Sequence, residues 1–166
     1  MELITYLIGQ ITANQITYEW RSDLVKAVEE LPENLKSQIH LINPCGNQFS
    51  KKMLEVSQND RLKFAETVEK EKQARLFPAL DKGYVKKESN SCIFNANHYT
   101  PETPFLGTIF ELAWYHDQPW KPVIGVFDGN YKEDYLCMHP FVQDTVHTWV
   151  NTPYEALELL ISLIRS

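Results

Sequence analysis

Glu111 is the residue whose surroundings call for chemistry. It lies in "TPFLGTIFELAWY", residues 103 to 115, an apolar run with no basic residue at helical reach, since Gly107, Thr108, Trp114 and Tyr115 occupy the positions three and four away. A carboxylate placed there either faces water along a narrow stripe or works as a nucleophile, base or acid. On a helix, Gly107, Thr108, Glu111 and Tyr115 share one stripe. Leu106, Ile109, Phe110, Ala113 and Trp114 fill most of the remaining circumference, so the helix is expected to be well covered. Its polar stripe would then line a pocket in which Gly107 makes room for a ligand beside the acid.

Other residues offer weaker signals. Gly9 in "GQIT" allows a ligand close to the backbone, or merely makes a tight turn. In "NPCGNQFSKK" (43 to 52) the amides of Asn47 and Gln48 suit the edge of a nucleobase, and Ser50, Lys51 and Lys52 suit an anion. Turn chemistry explains Asn43, Pro44, Gly46 and Asn47 equally well. Asp81 in "ALDKGYVKKESN" reads by itself as a surface charge or a cap, and it precedes a strand carrying Asn95 and Asn97, with His98 and Tyr99 just beyond. The histidines at 40, 98, 116, 139 and 147 have no metal-ligand spacing, and GxGxxG, GxSxG and Walker motifs are missing from the sequence.

The elements that must position these residues follow from hydrophobic patterning. Short β-branched runs at 3 to 9, 38 to 43, 92 to 96, 122 to 127 and 145 to 150 predict five strands. Helices are predicted over 18 to 31, 59 to 73, 79 to 89, around Glu111, and over 152 to 164, where Thr152 is a natural cap and Pro153 suits the first turn. Such alternation implies one α/β domain over 1–166, with a mainly parallel sheet, helices on both faces and ligand chemistry at the carboxyl ends of the strands.

Composition narrows the partners. With 22 acidic and 16 basic residues, the net charge of -6 argues against a nucleic-acid polymer and for a small molecule. The opening "ELITYLIG" is too short to span a bilayer, so no membrane is expected. Three irregularly spaced cysteines fit a reducing cytosol better than a disulfide framework.

Taken together, "YLIGQI" (6–11), "NPCGNQF" (43–49), "DKGYVKKESNSCIFNAN" (81–97), "GTIFELAWY" (107–115) and "KPVIGVF" (121–127) resemble the nucleoside 2-deoxyribosyltransferase family, in the right order over nearly the whole chain. The resemblance implies a flavodoxin-like or Rossmann-like three-layer sandwich and transfer of a 2-deoxyribosyl group between nucleobases. Glu111 would attack the anomeric carbon, Tyr6 would position it, Gln48 would bind the base and Asp81 would handle the base proton. The implied partners are nucleosides and nucleobases, together with further copies of the chain in a homo-oligomer whose pockets are shared between subunits. No metal or organic cofactor is implied. His139 in "MHPFVQDT" stands in part for the family's asparagine, Phe105 replaces an acid or serine of many members, and the chain ends in "LIRS" without the aromatic residue some members use. These departures keep two other readings open. One is a nucleoside 5′-monophosphate N-glycosidase, with Arg21, Lys51 or Lys52 on the phosphate; the other is a non-catalytic nucleotide-sensing module.

Overall fold

Period-two alternation divides the strand residues between two cores. From the first strand, β1 (Leu3–Gly9), Leu3 and Leu7 point to one face of the sheet, while Tyr6 and Ile8 point to the other. The computed structural model describes residues 2–11, 14–46, 77–99 and 106–165. After β1 come α1 (Ile16–Glu29), the single turn α2 (Glu33–Lys36), β2 (Ile39–Ile42), α3 (Phe77–Gly83), β3 (Ser91–Asn95), α4 (Leu106–His116), β4 (Val123–Val126), α5 (Pro140–Thr145), β5 (Thr148–Val150) and α6 (Pro153–Arg165). The strands pair in the order β2-β1-β3-β4-β5, all parallel. This is a flavodoxin-like three-layer α/β fold, as the resemblance implies.

One core, with Leu24, Val28, Leu157 and Leu160, lies under α1 and α6. The other, with Val85, Leu112, Tyr115 and Val142, lies under α3, α4 and α5. Because both faces of the sheet are covered, the central strands β1, β3 and β4 are buried along almost their whole length, which is why they read as continuous apolar runs. Strand order reverses between β1 and β3, so Gly9 and Asn95, paired in register, stand at the carboxyl-end crevice where such folds hold ligands.

All five strands fall where patterning predicts them, with β5 beginning later because Thr145 and Val146 finish and cap α5. The helix at 59 to 73 lies outside the described residues. The segment 79 to 89 is not one uniform helix. α3 passes into a π-helical turn at Tyr84–Glu88, closed by the Ser89 amide donating to the Tyr84 carbonyl at 2.8 Å. Lys121 Nζ, 7 % exposed, donates to the carbonyls of Val85 at 2.7 Å and Lys86 at 3.2 Å, satisfying the end of this helix. At α6 the Glu155 amide donates to the Thr152 hydroxyl and the Glu155 carboxylate accepts from the Asn151 amide, so the predicted cap is present.

Candidate active site

β1 carries Tyr6 on the face that meets α3 and α4, and there two acids converge on it. Tyr6 is fully buried and donates its hydroxyl to Glu111 Oε1 at 2.9 Å. Asp81, 7 % exposed, reaches the same hydroxyl from α3. The Tyr6 hydroxyl favours the ionised form of both acids, holding each below the value that burial alone would give.

Burial first, then the charge of Asp81, pushes the Glu111 carboxyl up to about 8, while the Tyr6 hydrogen bond and the Arg21 charge pull it back. Burial likewise raises Asp81 to about 6, against the Tyr6 bond. The two acids titrate together, so around neutral pH the pair holds one proton. Desolvation and then the neighbouring negative charges raise the Tyr6 hydroxyl far beyond its ordinary range, which keeps it a neutral donor.

Arg21 supplies positive charge from behind. It is 1 % exposed, and its guanidinium donates to the carbonyls of Leu7 (Nε, 3.1 Å), Thr17 (Nη1, 3.2 Å) and Gly9 (Nη2, 2.7 Å). None of these partners is a carboxylate, so the cation stays available to Glu111 through space. The bonds also fix the carboxyl end of β1.

The acids open on a cleft of about 500 Å³, within the range of small-molecule sites. Gly9 and Gln10 at the end of β1, Asp81 on α3, and Gly107, Glu111 and Trp114 on α4 form its wall. A larger groove of about 680 Å³ runs between α1 and α6, but its one carboxylate, Glu158, is exposed and meets no second acid there. Chemistry therefore favours the smaller cleft.

Of the residues singled out from sequence, Glu111, Asp81, Tyr6, Gly9 and Gly107 meet here. Gly107 is open, with no atom within 4 Å of a Cβ built on it. Gly9 is tight for a different reason than a ligand: a Cβ would stand 3.1 Å from the Asn95 carbonyl oxygen and 3.2 Å from the Trp20 ring. Asn95 is buried, its Oδ1 accepts from the Asn97 amide at 3.0 Å, and it is not on the cleft wall. His139 is also away from the wall. It precedes the first residue of α5, and its ring stacks on Phe141 with centroids 5.8 Å apart. Asn47 and Gln48 lie outside the described residues.

Two expectations for α4 change. Tyr115 leaves the polar stripe, is 1 % exposed, and donates to the Ser91 carbonyl at 3.0 Å. The helix is not covered all round: Ile109 and Phe110 are 42 % and 61 % exposed, because α4 packs on the sheet with one side only. Glu111 is nevertheless half-buried, since its side of the helix faces Tyr6.

Sequence reasoning passed over Gln10 and the counter-charge role of Arg21. Gln10 is 5 % exposed, and among the described residues neither its amide nitrogen nor its amide oxygen has a hydrogen-bond partner. Among the described residues no group of three or more His, Cys, Asp or Glu could hold a metal ion, and no helix is long and apolar enough to cross a membrane. Compared with known proteins, the chain matches no family model and no curated protein.

Proposed function

We propose that the protein is a nucleoside 2-deoxyribosyltransferase acting through a covalent glutamyl-sugar intermediate. The observation that carries this reading is the Tyr6–Glu111 hydrogen bond at the floor of a cleft that Asp81 also enters. An acid nucleophile, a donor that orients it and a second acid for the base are the groups that displacement at an anomeric carbon requires.

In the first step a Glu111 carboxylate oxygen attacks C1′ and the C1′–N bond breaks. The departing base takes the proton of Asp81, because a neutral base leaves more readily than an anion. In the second step a ring nitrogen of another base attacks C1′, its proton passes to the Asp81 carboxylate, and Glu111 is released. Two inversions give net retention. The first half-reaction begins with one proton on the acid pair, the total the site favours near neutral pH, and the second begins with Asp81 ionised and Glu111 esterified, so the incoming base restores the proton. Nucleophile and proton donor are sufficient without a cofactor.

The 5′-monophosphate hydrolase reading loses one of its three candidate cations, since Arg21 is buried on backbone carbonyls. Exposure of Ile109 and Phe110, with Phe110 also on the cleft wall, supports a homo-oligomer in which a neighbouring copy completes the pocket. Three free, buried cysteines support a reducing, cytoplasmic setting.

The test is incubation of each natural 2′-deoxynucleoside with and without a different free base, followed by chromatography. A new nucleoside that forms only when acceptor is present is the expected result. Base release independent of acceptor would indicate a hydrolase, and no turnover would indicate a sensing module.

A further inference from the structure

The orphaned amide of Gln10 is the feature that the catalytic scheme leaves unused. The residue directly follows Gly9 at the end of β1, is 5 % exposed and forms part of the cleft wall. Both amide atoms are covered and neither has a hydrogen-bond partner among the described residues. Leaving a buried donor and acceptor unsatisfied is costly, and a side chain kept in that state needs an explanation. Carboxamides offer a donor and an acceptor side by side. A lone sugar hydroxyl makes one bond with such a group at a time, whereas an adjacent donor–acceptor pair on a ring satisfies both atoms at once. Nucleobases present such pairs: a ring N–H beside an exocyclic oxygen, or a ring nitrogen beside an exocyclic amino group.

We infer that Gln10 reads the donor–acceptor edge of the nucleobase, forming two hydrogen bonds that no described residue of the protein offers it. This rests on the nucleoside reading of the cleft for the class of ligand. It adds the residue that contacts the base from the β1 side and the edge that is recognised. A carboxamide can turn over to match either polarity, so Gln10 would recognise the presence of a two-point edge without choosing between oxo and amino bases.

The experiment is calorimetric binding, which needs no turnover, together with melting of the ligand-free protein. Parent and Gln10→Met are each titrated with the four natural 2′-deoxynucleosides and with analogues lacking the exocyclic oxygen or amino group. The parent is expected to bind the natural compound roughly ten- to a hundredfold more tightly than its stripped analogue, and Gln10→Met to bind the two about equally. Ligand-free Gln10→Met should melt at or above the parent's temperature, since it loses an unsatisfied amide. Equal discrimination in parent and variant would overturn the role of Gln10 while leaving transfer intact. A lower melting temperature of the variant, or its failure to fold, would make the amide structural and also overturn the inference. No nucleoside binding by the parent would remove the functional reading itself, and the base edge with it.

Discussion

The Tyr6 hydroxyl and Glu111 Oε1 lie 2.9 Å apart, although 105 residues separate them along the chain. The bond joins the sheet to α4 and holds the acid at one orientation. Tyr6→Phe keeps the ring and removes the donor. Turnover should fall by roughly ten- to a hundredfold, as expected for loss of a hydrogen bond to a charged group. Since that bond lowers both acids, the pH optimum should move upward while the melting temperature stays near the parent's. An unaltered pH profile would remove Tyr6 from the mechanism.

Activity requires one proton on the acid pair, so kcat/KM should rise through about pH 6 and fall through about pH 8. In Asp81→Asn the second charge is gone and Glu111 titrates alone, at a lower pKa. Residual activity should then climb to a plateau without an alkaline limb. A bell retained in Asp81→Asn would place the second proton elsewhere.

Stability carries the same signature independently of substrate. Both acids have folded-state pKa values above the ordinary values of 3.8 and 4.5, so between those values and about 8 the folded protein binds more protons than the unfolded chain. The pair's contribution is fully present below about pH 4 and is lost as pH rises through about 6 and then about 8. The combined variant Asp81→Asn/Glu111→Gln should flatten the decline of Tm over that window. An equally steep decline in parent and variant would show that other groups cause it.

Two glycines of the cleft should respond in opposite ways. In Gly9→Ala the methyl meets the Asn95 carbonyl at 3.1 Å and Arg21 Nη2 at 3.3 Å, and urea unfolding should show a loss of about 1–3 kcal/mol. In Gly107→Ala the methyl meets nothing within 4 Å, so stability should hold or rise by up to ~1 kcal/mol while KM rises as the cleft narrows. Comparable losses in the two variants would contradict the packing described here.

What could be read in advance depended on whether neighbours in sequence or in space decide the outcome. The strands were legible because burial on both faces leaves uninterrupted β-branched runs, and α6 because Thr152, Pro153 and Glu155 mark its start locally. Glu111 stood out through its apolar neighbours. Asp81 did not, since its burial comes from Tyr6 and the cleft rather than from the polar segment around it. α2 and α5, with 4 and 6 residues, are too short to show a period. The outer face of α4 misled, because apolar content does not say how many sides of a helix are packed. Arg21 left one readable sign: it shares a helical stripe with Thr17, Leu24 and Val28, which marks it as a cation on the buried side of α1. Gln10 left none, because only the cleft shows that its amide lacks a partner among the described residues.

The most direct measurement is to trap the sugar. A 2-deoxy-2-fluoroarabinosyl nucleoside with a good leaving base is incubated with the protein, which is then weighed intact and mapped by peptide mass spectrometry. The expected result is one fluorosugar adduct on Glu111, missing in Glu111→Ala and discharged as a new nucleoside when a second base is added. An adduct on any other residue, or turnover by Glu111→Ala at the parent's rate, would contradict Glu111 as the nucleophile.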